Sequence, residues 1–327
     1  MDVLQSLLTS LSSPMVLAFL LGIFATVVKS DMKFPEGFYV ALTVYLLFAI
    51  GIKGGVKLSQ TTLEEFWKPG LSAIVLCSVI PIWSYFILHK LGNFDKVNAA
   101  AIAAHFGSVS AVTFSEGSAF LELLQQPYEG FMPSLLAIME VPAIIMALLI
   151  IKIQKNSDQS SEGGGWGKIL HELLTGKGTL LLVGGLVIGM VSGKKGFEQV
   201  APLFDTPFRG VLTLFLLEVG MVTGRRLKDL VQAGPFLVGF GIIMPLLHSV
   251  LGIYLGYWSG LSLGGATLFG VLSASASYIA APAAVRIALP DASPTYYLTA
   301  SLAITFPFNV TLGLPLYYSI ARWVYGV

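Results

Sequence analysis

Ten predominantly apolar stretches run along the chain, at about 13–29, 36–53, 70–90, 97–115, 131–152, 178–193, 209–224, 234–257, 263–285 and 296–322, with short polar or Gly/Pro-rich breaks between them. A transmembrane helix needs about 20 mostly apolar residues. The pattern therefore predicts an all-α polytopic membrane protein with ten transmembrane helices. The first stretch follows Asp2, has no basic residue before Lys29 and lacks a small-residue cleavage pattern, so it is expected to persist rather than act as a removable signal. The one sizeable polar stretch, 153–177, has a Ser/Gly-rich start and a short amphipathic end from Ile169 to Leu174. It divides the chain into units 1–152 and 178–327.

The two units resemble each other. "LTVYLLFAIGIKGGVKL" (42–58) aligns with "LTLFLLEVGMVTGRRL" (212–227), matching Leu42, Thr43, Leu46, Leu47, Gly51, Gly55 and Leu58. Gly22 pairs with Gly189, Gly70 with Gly234, Pro81 with Pro245 and Pro142 with Pro307, at offsets between 164 and 170. Each unit holds five spans. An odd number forces the second copy into the membrane upside down, the inverted-repeat plan of secondary transporters.

Composition narrows the picture. With 55% hydrophobic and 11% charged residues the chain does not suit a water-soluble surface, and a net charge of +1 leaves no electrostatic footprint for nucleic acid. A single cysteine, Cys77, excludes an internal disulfide framework. Assigning Lys and Arg to alternate sides gives 12 against 7, which by the positive-inside rule puts both termini outside and the 153–177 loop in the cytoplasm. The connection from Ser115 to Tyr128, with Glu116 and Glu122, Glu129 just after it and no basic residue, is then an external loop, and Glu116 is expected at the surface.

The fourth and ninth spans are the least helix-like. "AAHFGSVSAVTFSEG" (103–117) and "GVLSASASYIAAPAAVR" (270–286) set Ser108 opposite Ser275 and Ser110 opposite Ser277, with Gly107 and Pro282 weakening their helices. Breaks are expected at Gly107–Ser110 and Ser273–Ser277. Unwound backbone survives in a membrane only where it lines a cavity or binds something, and restarted helix N-termini suit a small anion. No Lys or Arg lies in either break. A buried anion would then need a co-bound cation, for which freed carbonyls, hydroxyls and carboxylates are ligands. Close helix packing is the competing reading of the same small residues. Glu140 is read as a cation ligand or an interhelical tie, and Asn309, beside Pro307, is a cation-ligand candidate. His105 lines the path or packs. Arg286 reads as a cytoplasmic anchor and Glu218 as the partner of Arg225 and Arg226. No HExxH motif supports a hydrolase, so no enzyme is expected. A Na+/H+ antiporter or another Na+-coupled anion symporter remains the alternative transporter class.

The "GSVSAVT" of the fourth span and especially "SASYIAAPAAVR" (275–286) resemble the SbtA-like family of cyanobacterial-type sodium-dependent bicarbonate transporters, and "LLFAIGIKGG" and "IMEVPA" are similar to stretches of that family. The resemblance implies inward symport of bicarbonate with Na+ by an elevator movement in the plasma membrane. It also implies a homotrimer and a PII-like regulatory protein on the cytoplasmic side. Carried over by position, bicarbonate falls on Ser108, Val109, Ser110, Ser273, Ser275 and Ser277. Na+ falls near Ser110, Thr113, Glu140 and Asn309, with no cofactor beyond this coupling ion.

Overall fold

Apolar stretches poor in charge can satisfy their backbone groups in lipid only as helices or closed barrels. The computed structural model describes residues 3–35, 37–155, 167, 171 and 174–327, and these are helical with no strand among them. Helices α1 (Val3–Leu11), α2 (Pro14–Val27), α3 (Phe38–Leu58) and α4 (Leu63–Phe86, extended by a π turn at Ile87–Leu91) lead into α5 (Lys96–Gly107), α6 (Ala111–Leu123), α7 (Met132–Glu140) and α8 (Pro142–Lys155). After the linker come α9 (Lys177–Phe204), α10 (Phe208–Arg226), α11 (Leu230–Trp258), α12 (Leu263–Ala274), α13 (Ala280–Ala288), α14 (Pro294–Leu298), α15 (Phe306–Phe308) and α16 (Leu314–Tyr325). Among the described residues seven helical runs are long and apolar enough to cross a membrane, with Pro14–Val27 and Leu263–Ala274 as shorter apolar helices. One of the seven, Phe208–Trp258, contains both α10 and α11. Most of the 153–177 linker, including much of its expected amphipathic end, lies outside the described residues.

Local chemistry sets the helix ends. Thr62 and Glu65 form a reciprocal capping box at the start of α4. Gly193 (φ 60°) kinks α9 and Gly234 (φ 74°) kinks α11, both in backbone regions that L side chains rarely adopt. These kinks fall where the hydropathy pattern ends the sixth span and begins the eighth. Two differences from the sequence pattern stand out. Val3–Leu11 is helical ahead of the first apolar stretch. The fourth stretch runs on to Leu123 rather than ending near 115. Having lost three residues to an extended break, this span restarts at Ala111 and needs a second run of helix, so Glu116 and Glu122 stand on α6 and not in an external loop.

Packing sorts the helices into groups. Backbones of α2 and α10 meet at Gly22 and Gly220, where a side chain on either glycine would strike the other helix's main chain. The same happens between α3 and α9: a Cβ on Gly51 would lie 2.5 Å from the Leu182 carbonyl, and one on Gly189 would strike the Ile52 carbonyl. Small residues give such close approach, and dispersion supplies the attraction that lipid does not. Elsewhere α4, α5 and α8 pack as one set and α11, α12 and α16 as another. An apolar cluster of Phe19, Leu42, Leu46, Phe215 and Val219 facing Val112, Ala119, Tyr278 and Phe306 joins α2, α3 and α10 to the helices that follow the breaks.

Candidate functional site

Two helices stop inside the protein. Ser108 ends α5 in extended backbone (φ −84°, ψ 168°), and Ser275 ends α12 in nearly the same conformation (φ −79°, ψ 158°). Helix resumes at Ala111 and at Ala280. The first break spans Ser108–Ser110, and the second spans Ser275–Ile279, two residues later than the expected start at Ser273. At the end of α5, Gly107 leaves no room for a side chain, because a Cβ there would strike the ring of Pro81 on α4.

Hydrogen bonds stitch the breaks together. The Ser110 N–H donates to Ser275 Oγ at 2.9 Å, and the Ser277 N–H donates to the His105 carbonyl at 2.8 Å. Ser110 and Ser277 also cap the restarting helices, their hydroxyls accepting from the N–H of Thr113 (3.2 Å) and Ala281 (3.2 Å). Near the start of α6 the N–H groups of Ala111 and Val112 have no intrahelical acceptor, so the crossing presents donors and the positive end of a helix dipole. Ser108 lies 1% exposed and donates to the Glu140 carbonyl at 3.0 Å, and Val109 is buried beside it. Thus Ser108, Val109, Ser110, Ser275 and Ser277 come together. Ser273 does not join them: it sits inside α12, donates to its own helix at Phe269 (2.7 Å) and lies against Gly252 of α11.

The expected cation ligands divide. Thr113 reaches the crossing through its N–H on Ser110. Glu140 closes α7 with Oε2 unpartnered, and its Oε1 would lie 3.1 Å from a Cβ on Gly178 at the start of α9. Asn309 is fully buried, donating to the Ala274 carbonyl (3.0 Å) and accepting from the Tyr317 hydroxyl (2.6 Å). It holds the end of α12 to the last helix. His105 stacks on Tyr297 at 4.5 Å with Nδ1 on the Ala101 carbonyl, a packed residue whose contribution to the crossing is its main chain. Arg286 is exposed in the last turn of α13. Arg226 pairs with Asp229 at 3.3 Å rather than with Glu218, which keeps Arg225 within electrostatic reach but has no hydrogen-bond partner at Oε2.

Three features escaped the sequence pattern. Glu116, expected at the surface, is 2% exposed. Tyr278 is buried next to it, its hydroxyl facing Ser110. A cavity of about 1140 Å³ opens beside α6, with Lys53, Lys57, Lys194 and Arg209 against Glu122 and Asp205. Lys53 pairs with Asp205 at 2.7 Å and Arg209 with Glu122, which leaves a cationic excess from Lys57 and Lys194. Its rim includes Tyr128, whose phenol burial and the neighbouring Glu122 push up to about 12. Ile50 and Ser115 line both this vestibule and a separate void of about 10 Å³ that reaches Ala111 and Ile279, the restarts after the two breaks.

Apolar helices around two interrupted, hydrogen-bonded segments, with a charged vestibule beside α6, define a helical membrane protein with a polar crossing in its interior. The chain belongs to the Na+-dependent bicarbonate transporter superfamily, whose family pattern it matches over residues 14–322. The resemblance carried by "SASYIAAPAAVR" therefore holds, and the family is one of transporters rather than enzymes. No curated protein matches the chain.

Proposed function

We propose that the protein carries bicarbonate into the cell together with Na+, binding the anion at the crossing of Ser108–Ser110 with Ser275–Ser277. The observation that carries this reading is a buried crossing built from serines, backbone N–H groups and helix starts, without a lysine or arginine in either break, in a member of this superfamily. Bicarbonate needs several converging donors and at least one acceptor for its own hydroxyl, and serine hydroxyls do both. Helix starts alone leave the anion incompletely neutralised, so Na+ is its partner, held near Ser110, Thr113 and Glu140, with Asn309 bracing the α12 end. Each ion lowers the cost of burying the other. Ser273, of the expected anion set, is held inside α12 and stays outside the site.

The architecture belonging to this proposal is ten spans in two inverted repeats of five, 1–152 and 178–327. It is supported by matched positions 167 residues apart: the caps Asp95 and Ser262, the helix ends Gly107 and Ala274, and the extended Ser108 and Ser275. It is supported too by the glycine contacts, since exchanging first with sixth and second with seventh spans turns the α2–α10 pair into the α9–α3 pair. The run Phe208–Trp258, 51 residues, is about 75 Å long as helix, enough for two crossings of a roughly 30 Å core. Elevator movement then slides the two break-bearing sets past the glycine-locked helices α2, α3, α9 and α10. Both termini face outside, the vestibule opens outward and the 153–177 linker is cytoplasmic in the plasma membrane. A homotrimer and a PII-like cytoplasmic regulator complete the proposal on family resemblance.

Purified protein in liposomes is expected to accumulate labelled bicarbonate only under an inward Na+ gradient. Uptake indifferent to Na+ rejects symport, and Na+ movement driven by a pH gradient without bicarbonate favours the antiporter.

A further inference from the structure

Glu116 has no role in the crossing as described. Its residue is 2% exposed and its Oε1 has no hydrogen-bond partner. One turn to either side stand Val112 and Ala119, both in the apolar cluster that packs α6 against α2, α3 and α10. The same cluster holds a second stranded polar group: Tyr278, in the second break, is 8% exposed and its hydroxyl is unpartnered. The Ser110 side chain is its polar neighbour, and Glu116 and Tyr39 lie within electrostatic reach of it. Tyr39 stacks on Phe215 at 5.1 Å and has Glu218 beyond it. Among the described residues no cationic side chain interacts with Glu116 or Tyr278.

An acid and a phenol left without partners in an apolar cluster weaken the fold, because each buried polar atom without a hydrogen bond carries its full desolvation cost. Apolar side chains would fill the same space without it, and an acidic residue inside a membrane span is a functional candidate by default. The chemistry of the convergent groups is specific. Carboxylate and phenol oxygens are hard ligands, and no positive charge competes for them. We propose that Glu116 and Tyr278 form a Na+ site between the crossing and the α2, α3, α10 wall, separate from the one near Ser110, Thr113, Glu140 and Asn309. Na+ is bound there against the Glu116 carboxylate. Six residues of α6 separate it from Ser110, about 9 Å along the axis. A unit charge there couples to an anion at the crossing by on the order of tenfold. Na+ binding itself does not rest on the bicarbonate reading; only the coupling does.

Equilibrium binding of radioactive Na+ to the purified protein, without bicarbonate, tests the site directly. Glu116→Gln keeps the size of the side chain and removes the charge; Na+ affinity is expected to fall at least tenfold, and Tyr278→Phe to lower it several-fold. An exposed control, Glu198→Gln, keeps wild-type binding. In liposomes Glu116→Gln raises the Na+ concentration for half-maximal bicarbonate uptake, while saturating Na+ restores most of the rate. If Glu116→Gln is not monodisperse, Tyr278→Phe decides alone. Wild-type Na+ affinity in a folded variant overturns the proposal, as does an equal loss of rate at all Na+ concentrations, which marks a structural role. Loss of Na+ binding in the variant, with no bicarbonate uptake by wild type, sinks the transport reading and leaves the site standing.

Discussion

Replacing Ser275 by alanine strips the acceptor from a main-chain donor at the centre of the crossing. Ser275 Oγ accepts from the Ser110 N–H at 2.9 Å and donates to the Leu272 carbonyl at 2.7 Å. The carbonyl keeps a second partner, the Ser275 N–H at 3.1 Å, so the stranded group is the Ser110 N–H. Ser110 is 5% exposed, and water does not readily replace the lost acceptor. A buried donor left unmade costs about 1–3 kcal/mol, which corresponds to roughly 5- to 150-fold in any equilibrium that needs the crossing intact. Ser273→Ala is the matched control. Its hydroxyl donates to Phe269 inside the same helix, and removing it strands no donor, so the cost is about 1 kcal/mol or less. Bicarbonate uptake in liposomes at saturating Na+, with the melting midpoint of the detergent-solubilised protein as the measure of folding, separates the two. Ser275→Ala is expected to raise the half-saturating bicarbonate concentration at least fivefold, and Ser273→Ala less than that. Equal effects, or the reverse order, would refute the assignment of the crossing to the Ser110–Ser275 bond.

Other outcomes follow from the same geometry. Gly51→Ala puts a Cβ 2.5 Å from the Leu182 carbonyl, which a backbone cannot yield; a loss of about 1–3 kcal/mol is expected from overpacking. Gly210→Ala, with nothing within 4 Å, should stabilise by about 0.5–1 kcal/mol. Thermal unfolding in detergent ranks both, and a wild-type midpoint for Gly51→Ala contradicts the close helix contact. At Asp95, which caps α5, partial burial works to raise the pKa, but hydrogen bonds from Asn98 and from the Val97 N–H outweigh it and hold the carboxyl below its ordinary value. A depressed pKa contributes stability above the unfolded value of about 3.9, and that contribution is lost as pH falls through the folded value. The difference in melting midpoint between wild type and Asp95→Asn should therefore shrink below about pH 4; a constant difference contradicts the charged cap. Finally, Lys57→Gln with Lys194→Gln should slow uptake several-fold at low salt and little at about 1 M salt, where the screening length falls to about 3 Å. The same ratio at both salts removes any steering role for the vestibule.

What was legible in the chain was whatever depends on local chemistry and on the solvent. Spans of membrane length, the stops at Gly193 and Gly234 and the interruption after Gly107 follow from apolar run length and from backbone preferences that no neighbour has to supply. The serines at 108 and 275 share a conformation because the same short sequence, a helix running into Ser-x-Ser, meets the same requirement twice. Which way a side chain faces is another matter. Successive residues on a helix turn by about 100°, so hydropathy alone does not say whether Glu116 meets water or the Phe215 cluster, or whether Ser273 meets the break or Gly252. Only packing decided those, through α10 and α3 covering one face of α6 and through the close approach of α11 to α12. The vestibule likewise needed the fold, since Lys57, Lys194 and Arg209 lie far apart in sequence and share a cavity because the glycine contacts bring α3 to α9 and set α10 beside them. The sequence by itself determined that the chain crosses a membrane and breaks two of its helices; tertiary contacts alone decided which polar groups those breaks, and the space around them, would leave unpaired.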